Sequence, residues 1–337
     1  MELPVEDLEL VHALQIAPRA TWTELGAILS RHPTTLAARW DRLSAEGKVW
    51  VTGHLGTGRS QGCIAFISLE CAPGRRAKVI ARLCAAPVIG TVEESARAWD
   101  VRLTVIAVDW GQVLREVLPI LRNDPEILRL QVTVATRLYA TGAWWRLDVL
   151  TPAKQRRLAA LAPAVSRIPS GLPPHARKMM AVVARNGRAS AVEIAEATGT
   201  HPTTAARHLR HAVETGLLAF RCELAQSFSG YPVACQWYVR VPPAQLDAAV
   251  GYLRTYRTLR LCASTTGDTN LTFYLWLRTP EDIADVEEGL QGAAPGAQVI
   301  ESNVGVREHK RMGWMLNEDT TATGVVVVDD GGAASGA

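Results

Sequence analysis

The chain has 337 residues, 48% of them hydrophobic, and a formal net charge of +3. It can bury several small cores, its apolar runs fall short of the ~18 residues of a membrane span, and its charge alone does not define a nucleic-acid binder. No signal peptide is expected before the first helix, and Cys63, Cys71, Cys84, Cys222, Cys235 and Cys262 lack C-x-x-C spacing, so buried thiols in a cytoplasmic protein with no membrane partner are expected.

Val5 to Ile16 places Val5, Leu8, Leu10, Val11, Leu14 and Ile16 at helical spacing, which predicts an amphipathic first helix. A short helix from Trp22 to Ser30 follows, and then the block HPTTLAARWDRLSAEG, His32 to Gly47, which returns as HPTTAARHLRHAVETG, His201 to Gly216. Leu36, Trp40 and Leu43 in the first block, and Ala205, Leu209 and Ala212 in the second, form one apolar stripe per helix. Pro33 and Pro202 suit the first helical turn, and Gly47 and Gly216 suit the residue after the last. With a preceding helix at Ala191 to Thr198, the pattern is a helix-turn-helix present twice.

Lys48 to Leu55 reads as a wing strand, and glycine-rich Gly53 to Gly62 as a hinge. Cys63 to Cys71, Val88 to Glu94, Trp99 to Asp109 and Ile127 to Leu138 read as strands, with helices over Gly74 to Ala85 and Gln112 to Asn123. That order predicts a βαββαβ sheet module with both helices on one face and the other face left for a partner. A Pro-rich connector with a helix from Pro152 to Leu161 leads to the second helix-turn-helix, whose first helix is Arg177 to Arg185 and whose wing is Leu217 to Leu224. The second sheet module repeats the first at an offset of 170 residues, matching Pro73 to Pro243, Leu83 to Leu253, Pro125 to Pro295, Val134 to Val304, Arg137 to Arg307 and Trp144 to Trp314.

The expected fold class is α+β: two winged helix-turn-helix domains alternating with two ferredoxin-like βαββαβ domains of the dimeric α/β-barrel type. The predicted boundaries are 1–56, 62–140, a linker at 141–174, 175–227, 231–315 and a disordered tail at 316–337. Within that tail the run Val325 to Val328 has no role that the pattern explains. The two sheet modules are expected to pair with each other, giving an intrachain pseudo-dimer open to further homo-oligomerisation.

Candidate chemistry lies on the repeated helices and the sheet turns. Thr34, Thr35, Arg39 and Arg42 lie opposite the first apolar stripe, and Thr203, Thr204, Arg207, His208 and Arg210 opposite the second, residue types that reach phosphates and base edges of double-stranded DNA. A solvated face in which Asp41 and Glu46 partner Arg39 and Arg42 is the alternative. His201, His208 and His211 lack an accompanying carboxylate or thiol at ligand spacing, so neither a metal nor a cofactor is expected.

The motif Thr34, Thr35, Leu36, Arg39, Trp40, Leu43, Gly47, followed by βαββαβ and present twice, resembles the Lrp/AsnC (feast/famine) transcriptional regulators over about nine tenths of the chain. The second copy departs from it, with Arg207-His208 where the family arginine falls. The resemblance implies sheet modules paired back to back, with an amino acid or similar effector held near a G-x-x-D turn. Here that turn reads Arg97-Ala-Trp-Asp100 in one copy and Gly267-Asp-Thr-Asn270 in the other, so Asp100, Gly267, Asp268 and Asn270 are the expected effector contacts. The reading is a DNA-binding regulator and not an enzyme. The same module plan also resembles the siroheme decarboxylases, which carry His and Arg near the third strand. Val88 to Trp99 and Arg260 to Thr269 contain no His, which weighs against that alternative. A non-specific architectural DNA-binding protein is the third reading.

Overall fold

The computed structural model describes residues 3–56, 62–162 and 176–329. The first repeat runs α1 (Val5–Ile16), α2 (Trp22–Leu29), α3 (Pro33–Ala45), β1 (Val49–Leu55), β2 (Cys63–Cys71), α4 (Arg76–Ala85), β3 (Thr91–Ser95) and β4 (Val101–Ala107). It continues through α5 (Trp110–Gln112) and α6 (Leu118–Arg122), joined by a π-helical turn, to β5 (Ile127–Ala140) and α7 (Pro152–Ala159). The second runs α8 (Ala176–Arg185), α9 (Ala191–Thr198), α10 (Pro202–Glu214), β6 (Leu218–Leu224), β7 (Val233–Arg240), α11 (Leu246–Leu253), β8 (Leu259–Thr265) and β9 (Leu271–Leu277). It closes with α12 (Asp282–Ala293), β10 (Gln298–Arg311), β11 (Trp314–Leu316) and β12 (Ala322–Val326). None of the described helices is long and apolar enough to cross a membrane.

Each helix-turn-helix starts its middle helix with a capping box, Thr21 with Glu24 and Ser190 with Glu193, so two N–H groups that a helix start leaves unpaired find partners. The turns that follow take left-handed backbone at Ser30 (φ 57°) and Gly199 (φ 66°). Leu25, Leu36 and Leu43 fill the first core, and Ile194, Ala205 and Leu209 the second. The connector contributes to the first core as well. Trp145, Leu147, Leu150 and, from α7, Leu158 are buried there, so residues 145–158 belong to the first helix-turn-helix and are not a free linker.

The expected wings are corrected. β1 pairs antiparallel with β6 of the other repeat, in a register that sets Thr52 opposite Arg221, the residue equivalent to it at the offset of 169. One two-stranded ribbon on a pseudo-two-fold axis therefore joins the two units.

The expected back-to-back pairing of sheets is also corrected. The strand order β10-β3-β4-β2-β5-β8-β9-β7 closes through a β10–β7 pairing, so the two four-stranded sheets join edge to edge as an antiparallel eight-stranded barrel. β5 and β10 are 14 residues long because each serves two neighbours. β5 pairs with β2 up to Val134 and with β8 from Ala135; β10 pairs with β7 up to Val304 and with β3 from Gly305. Period-two alternation then sorts the side chains. Ala65, Ile67, Leu69, Leu103 and Val105 point outward beneath α4 to α6, and Trp237, Val239, Phe273 and Leu275 beneath α11 and α12. The intervening residues, among them Arg102, Thr104, Gln236, Thr272 and Tyr274, face the barrel interior, which is polar over much of its length.

The expected disordered tail is corrected for residues 316–329; residues 330–337 lie outside the described residues. Leu316 is buried against Trp50 and Ala225, β12 pairs with β11, and the Val327 N–H donates to Gly313 O at 2.8 Å. The unexplained valine run thus includes the end of an ordered strand, and Val327 and Val328 line a cavity beside α8.

Candidate active site at one end of the barrel

The β1–β6 ribbon lies across one end of the barrel and brings His54 from β1 and Arg221 from β6 to a cavity of about 120 Å³. The barrel strands supply Ile64, Glu93, Thr104, Ile106, Gln236, Arg260, Tyr274, Glu308 and Arg311. His54, Ile106 and Met312 are shared with an adjoining cavity of about 160 Å³, lined mainly by apolar groups including Val88, Met180, Ala184, Val327 and Val328. Ile64 and Ile106 are shared with a third, of about 340 Å³, that runs beside Ala135 to Leu138. A polar chamber and two neighbouring chambers thus meet at Ile106 and His54.

His54 is the chemically distinctive wall. Its Nδ1–H donates to Leu55 O at 2.8 Å, which leaves the lone pair on Nε2. Nε2 is buried and has no hydrogen-bond partner among the described residues. Burial first, and the nearby Arg221 guanidinium second, push its pKa down to about 4, so the ring is neutral at physiological pH. A neutral imidazole with a free, buried lone pair accepts a hydrogen bond or ligates a metal.

The position equivalent to His54 in the second repeat is Glu223, and the two sides of the axis are built differently. Glu223 accepts a hydrogen bond from Arg260 at 2.8 Å and forms ion pairs with Arg221 at 2.6 Å and Arg311 at 3.6 Å. Burial opposes its charge, but the three guanidiniums outweigh burial and hold its carboxyl down at about 2. Trp276, at the position equivalent to Ile106, is fully buried, packs edge-on against Trp145 at 4.9 Å and lies 4.1 Å beneath Arg260. The second-repeat side is thus occupied by Trp276, Trp145 and an ion cluster, whereas the first-repeat side, walled by Ile64, Ile106 and His54, is open.

Among the described residues, Arg102, Arg260 and Arg311 of the barrel and Arg221 of the ribbon lie with Glu93, Glu301 and Glu308 of the barrel and Glu223 of the ribbon. Arg102 bonds Glu301 at 2.5 Å and stacks on Tyr238, and Arg311 grips both Glu308 oxygens through Nε at 2.8 Å. Glu93 bonds the Tyr274 hydroxyl at 2.9 Å.

The residues singled out from the sequence lie elsewhere. Asp100 Oδ2 accepts from the Cys71 N–H at 2.7 Å, and Asn270 exchanges two 2.8 Å bonds with the backbone of Val241. These are equivalent pins that fasten the β3–β4 and β8–β9 turns to neighbouring strands. Gly267 takes a φ of +103° in the second turn, and Asp268 O accepts from Arg240 Nε. No hydrogen bond or ion pair joins the two turns among the described residues, and neither lines the His54 cavity.

On the repeated helices, Arg39 and Arg42 bond the two oxygens of the fully buried Asp7 at 2.8 and 2.6 Å. Asp7 on α1, and not the Asp41 considered from sequence, is thus the main partner of both, with Glu46 3.8 Å from Arg42. Thr34 bonds His32, Thr203 bonds His201, and Thr35 is exposed. Thr204 and His208 are half-buried, while Arg207 and Arg210 are exposed.

No protein-family model matches the sequence, and no curated protein does. Among solved structures, the siroheme decarboxylase NirDL in co-complex with an iron-uroporphyrin III analogue matches at 13% identity and a TM-score of 0.60, covering 92% of this chain and 93% of that one. A second NirDL structure covers 94% and 96% at the same identity and TM-score. The regulator NMB0573 of Neisseria meningitidis, in complex with L-Met, covers 42% of this chain and 94% of its own at 17% identity and a TM-score of 0.39. The leucine response regulatory protein LrpA of Mycobacterium tuberculosis covers 40% and 91% at 16% and 0.36.

The whole-chain likeness shows a fold shared with NirDL. The expectation that the chain is not an enzyme is corrected by this likeness, since two structures matched over 92% and 94% of the chain are those of an enzyme. That expectation had rested on the absence of His near the third strand. In the structure a histidine from β1 and arginines from β6, β8 and β10 line one cavity.

Proposed function

We propose that the chain is an enzyme of siroheme-decarboxylase type, which removes CO2 from an acidic side chain of an iron tetrapyrrole held in the His54 cavity. The observation that carries this reading is the unpaired, buried Nε2 of a neutral His54 beside Arg221, Arg260 and Arg311. A buried acceptor without a partner costs about 1–3 kcal/mol and calls for an occupant. An iron at the centre of a planar macrocycle would take the Nε2 lone pair, and the arginines would bind peripheral carboxylates. The macrocycle accepts the electron pair released as the C–CO2 bond breaks, and the chain orients it and excludes water. The full-width NirDL likeness supports the choice of tetrapyrrole over an amino acid. One site per chain follows from the asymmetry, because Trp276 and Glu223 occupy the equivalent space on the other side of the axis. The test is anaerobic incubation of the full-length protein with reduced siroheme: CO2 release with a matching mass loss from the pigment supports the reading, and an unchanged pigment refutes it.

A second reading, duplex DNA binding through α10, is favoured by the exposure of Arg207 and Arg210 beside Thr203 on one helix face. Phosphate contacts there predict that replacing both arginines by alanine lowers the slope of log affinity against log salt by about 2. An unchanged slope removes α10 from any DNA interface.

A further inference from the structure

Glu93 on β3 and Glu308 on β10 are direct cross-strand partners, so two carboxyls face each other in the barrel wall. Like charges in that position repel, and one of the two must be neutralised. Arg311 serves Glu308, bonding both of its oxygens, and Arg102 serves Glu301. Glu93 is left with the hydroxyl of Tyr274. The charged and titratable groups around Glu93 among the described residues are Glu308, Tyr274, Tyr238, Arg311 and Arg102; burial first and Glu308 second push its carboxyl up to about 7.

Position gives this proton a use. Glu93, Tyr274 and Glu308 line the His54 cavity on one side and, on the other, a separate cavity of about 230 Å³ whose rim includes the exposed Ser227 and Glu318. The three residues are a wall one side chain thick between the barrel interior and an outer groove.

We propose that Glu93 is the proton donor of the His54 cavity and that Tyr274 relays protons to it from the outer groove. The proposal rests on the decarboxylase reading above. Each turnover breaks one C–CO2 bond, leaves its electron pair in the macrocycle and forms one C–H bond. The proton leaves Glu93, which becomes a carboxylate. Tyr274 passes its hydroxyl proton to that carboxylate and recovers one from water in the groove, so the sum is one carboxylate and one proton in, one C–H and one CO2 out, with no oxidant or reductant consumed.

The test uses full-length protein and reduced siroheme, with CO2 release followed against pH for the wild type, Glu93→Gln, Glu93→Asp and Tyr274→Phe. Wild-type turnover is expected to fall roughly tenfold per pH unit once Glu93 has lost its proton. Glu93→Gln is expected to lower kcat by about 100-fold or more with pigment affinity unchanged, Glu93→Asp to recover part of the loss, and Tyr274→Phe to slow turnover most at low proton concentration. A Glu93→Gln variant with wild-type kcat overturns the donor while leaving the decarboxylase reading intact; a wild type that releases no CO2 overturns both. Infrared spectra of the ligand-free protein test the donor without turnover. A protonated-carboxyl band that fades as the pH passes about 7 and is missing from Glu93→Gln is expected, and a wild type lacking the band overturns the proposal.

Discussion

Arg19 and Arg188 occupy equivalent positions in the two repeats, and each guanidinium binds the carbonyls that flank the other. Arg19 donates to Gly187 O and Ala189 O, and Arg188 donates to Pro18 O and Ala20 O at 2.8 Å each. Arg188 also lies 4.1 Å above the Trp22 ring, and Arg19 5.0 Å above Phe220. The pseudo-two-fold axis thus passes between these turns as it does through the β1–β6 ribbon, and the two helix-turn-helix units form one body over the barrel end.

Arg188→Ala is therefore expected to destabilise the chain by about 2–4 kcal/mol, because two carbonyls lose charged donors and Trp22 loses its cation. Arg188→Lys is expected to recover less than half, since an ammonium does not reproduce the two-pronged fork. Urea unfolding of both variants measures this, and a loss below about 0.5 kcal/mol for Arg188→Ala contradicts it.

Asp7 pairs with Arg39 and Arg42 and so ties both guanidiniums to α1, although Arg42 stays exposed and Arg39 half-buried. Asp7→Asn is expected to release them. If duplex DNA binds this face, affinity rises and the salt slope steepens by about 2, at a cost of about 1–3 kcal/mol in folding stability. Fluorescence anisotropy with labelled duplex over a range of salt reads both effects. An unchanged slope shows that α3 touches no phosphate.

The folded-state pKa of Glu93 is raised to about 7 from the ordinary 4.5, so the folded chain holds this proton more tightly than the unfolded chain does. Its contribution is complete at acid pH and is lost as pH rises from about 4.5 through 7. Glutamine mimics the protonated form at every pH. Glu93→Gln is therefore expected to match the wild type near pH 5 and to exceed it by roughly 2–3 kcal/mol at pH 8, by denaturant unfolding. A variant less stable than the wild type at pH 8 contradicts the assignment.

Much of the fold was legible in the sequence because its elements carry strong periods. Leu36 and Leu43 at helical spacing gave α3, and Val101, Leu103 and Val105 at alternate positions gave β4. Their partners were not legible. Val49–Leu55 reads as a strand whether it pairs within its own wing or with Leu218–Leu224, and only the structure shows the second. Alternation likewise marked the outward apolar residues of each sheet and left Arg102, Gln236 and Tyr274 as ordinary polar positions, although a closed barrel makes them an interior. His54 lies where the expected wing strand, Lys48 to Leu55, overlaps the expected hinge, Gly53 to Gly62. Gly53 in fact sits inside β1, where a Cβ would come within 2.6 Å of Val183. One signal was present in the repeat itself: aligning the copies sets His54 against Glu223 and Ile106 against Trp276, and such unlike pairs mark where a pseudo-dimer has stopped being symmetric.

The proposed function places a single tetrapyrrole in each chain, with the Nε2 of His54 on its iron. Spectrophotometric titration of the full-length protein with iron-uroporphyrin III, beside His54→Ala and Ile106→Trp variants, tests it most directly. Saturation at one pigment per chain is expected, with the absorption of a histidine-ligated iron. His54→Ala is expected to lose that spectrum and bind about 10–100-fold more weakly, and Ile106→Trp, which copies the occupied side, to block binding. Binding of two pigments per chain, or a spectrum and affinity that survive His54→Ala unchanged, would contradict it.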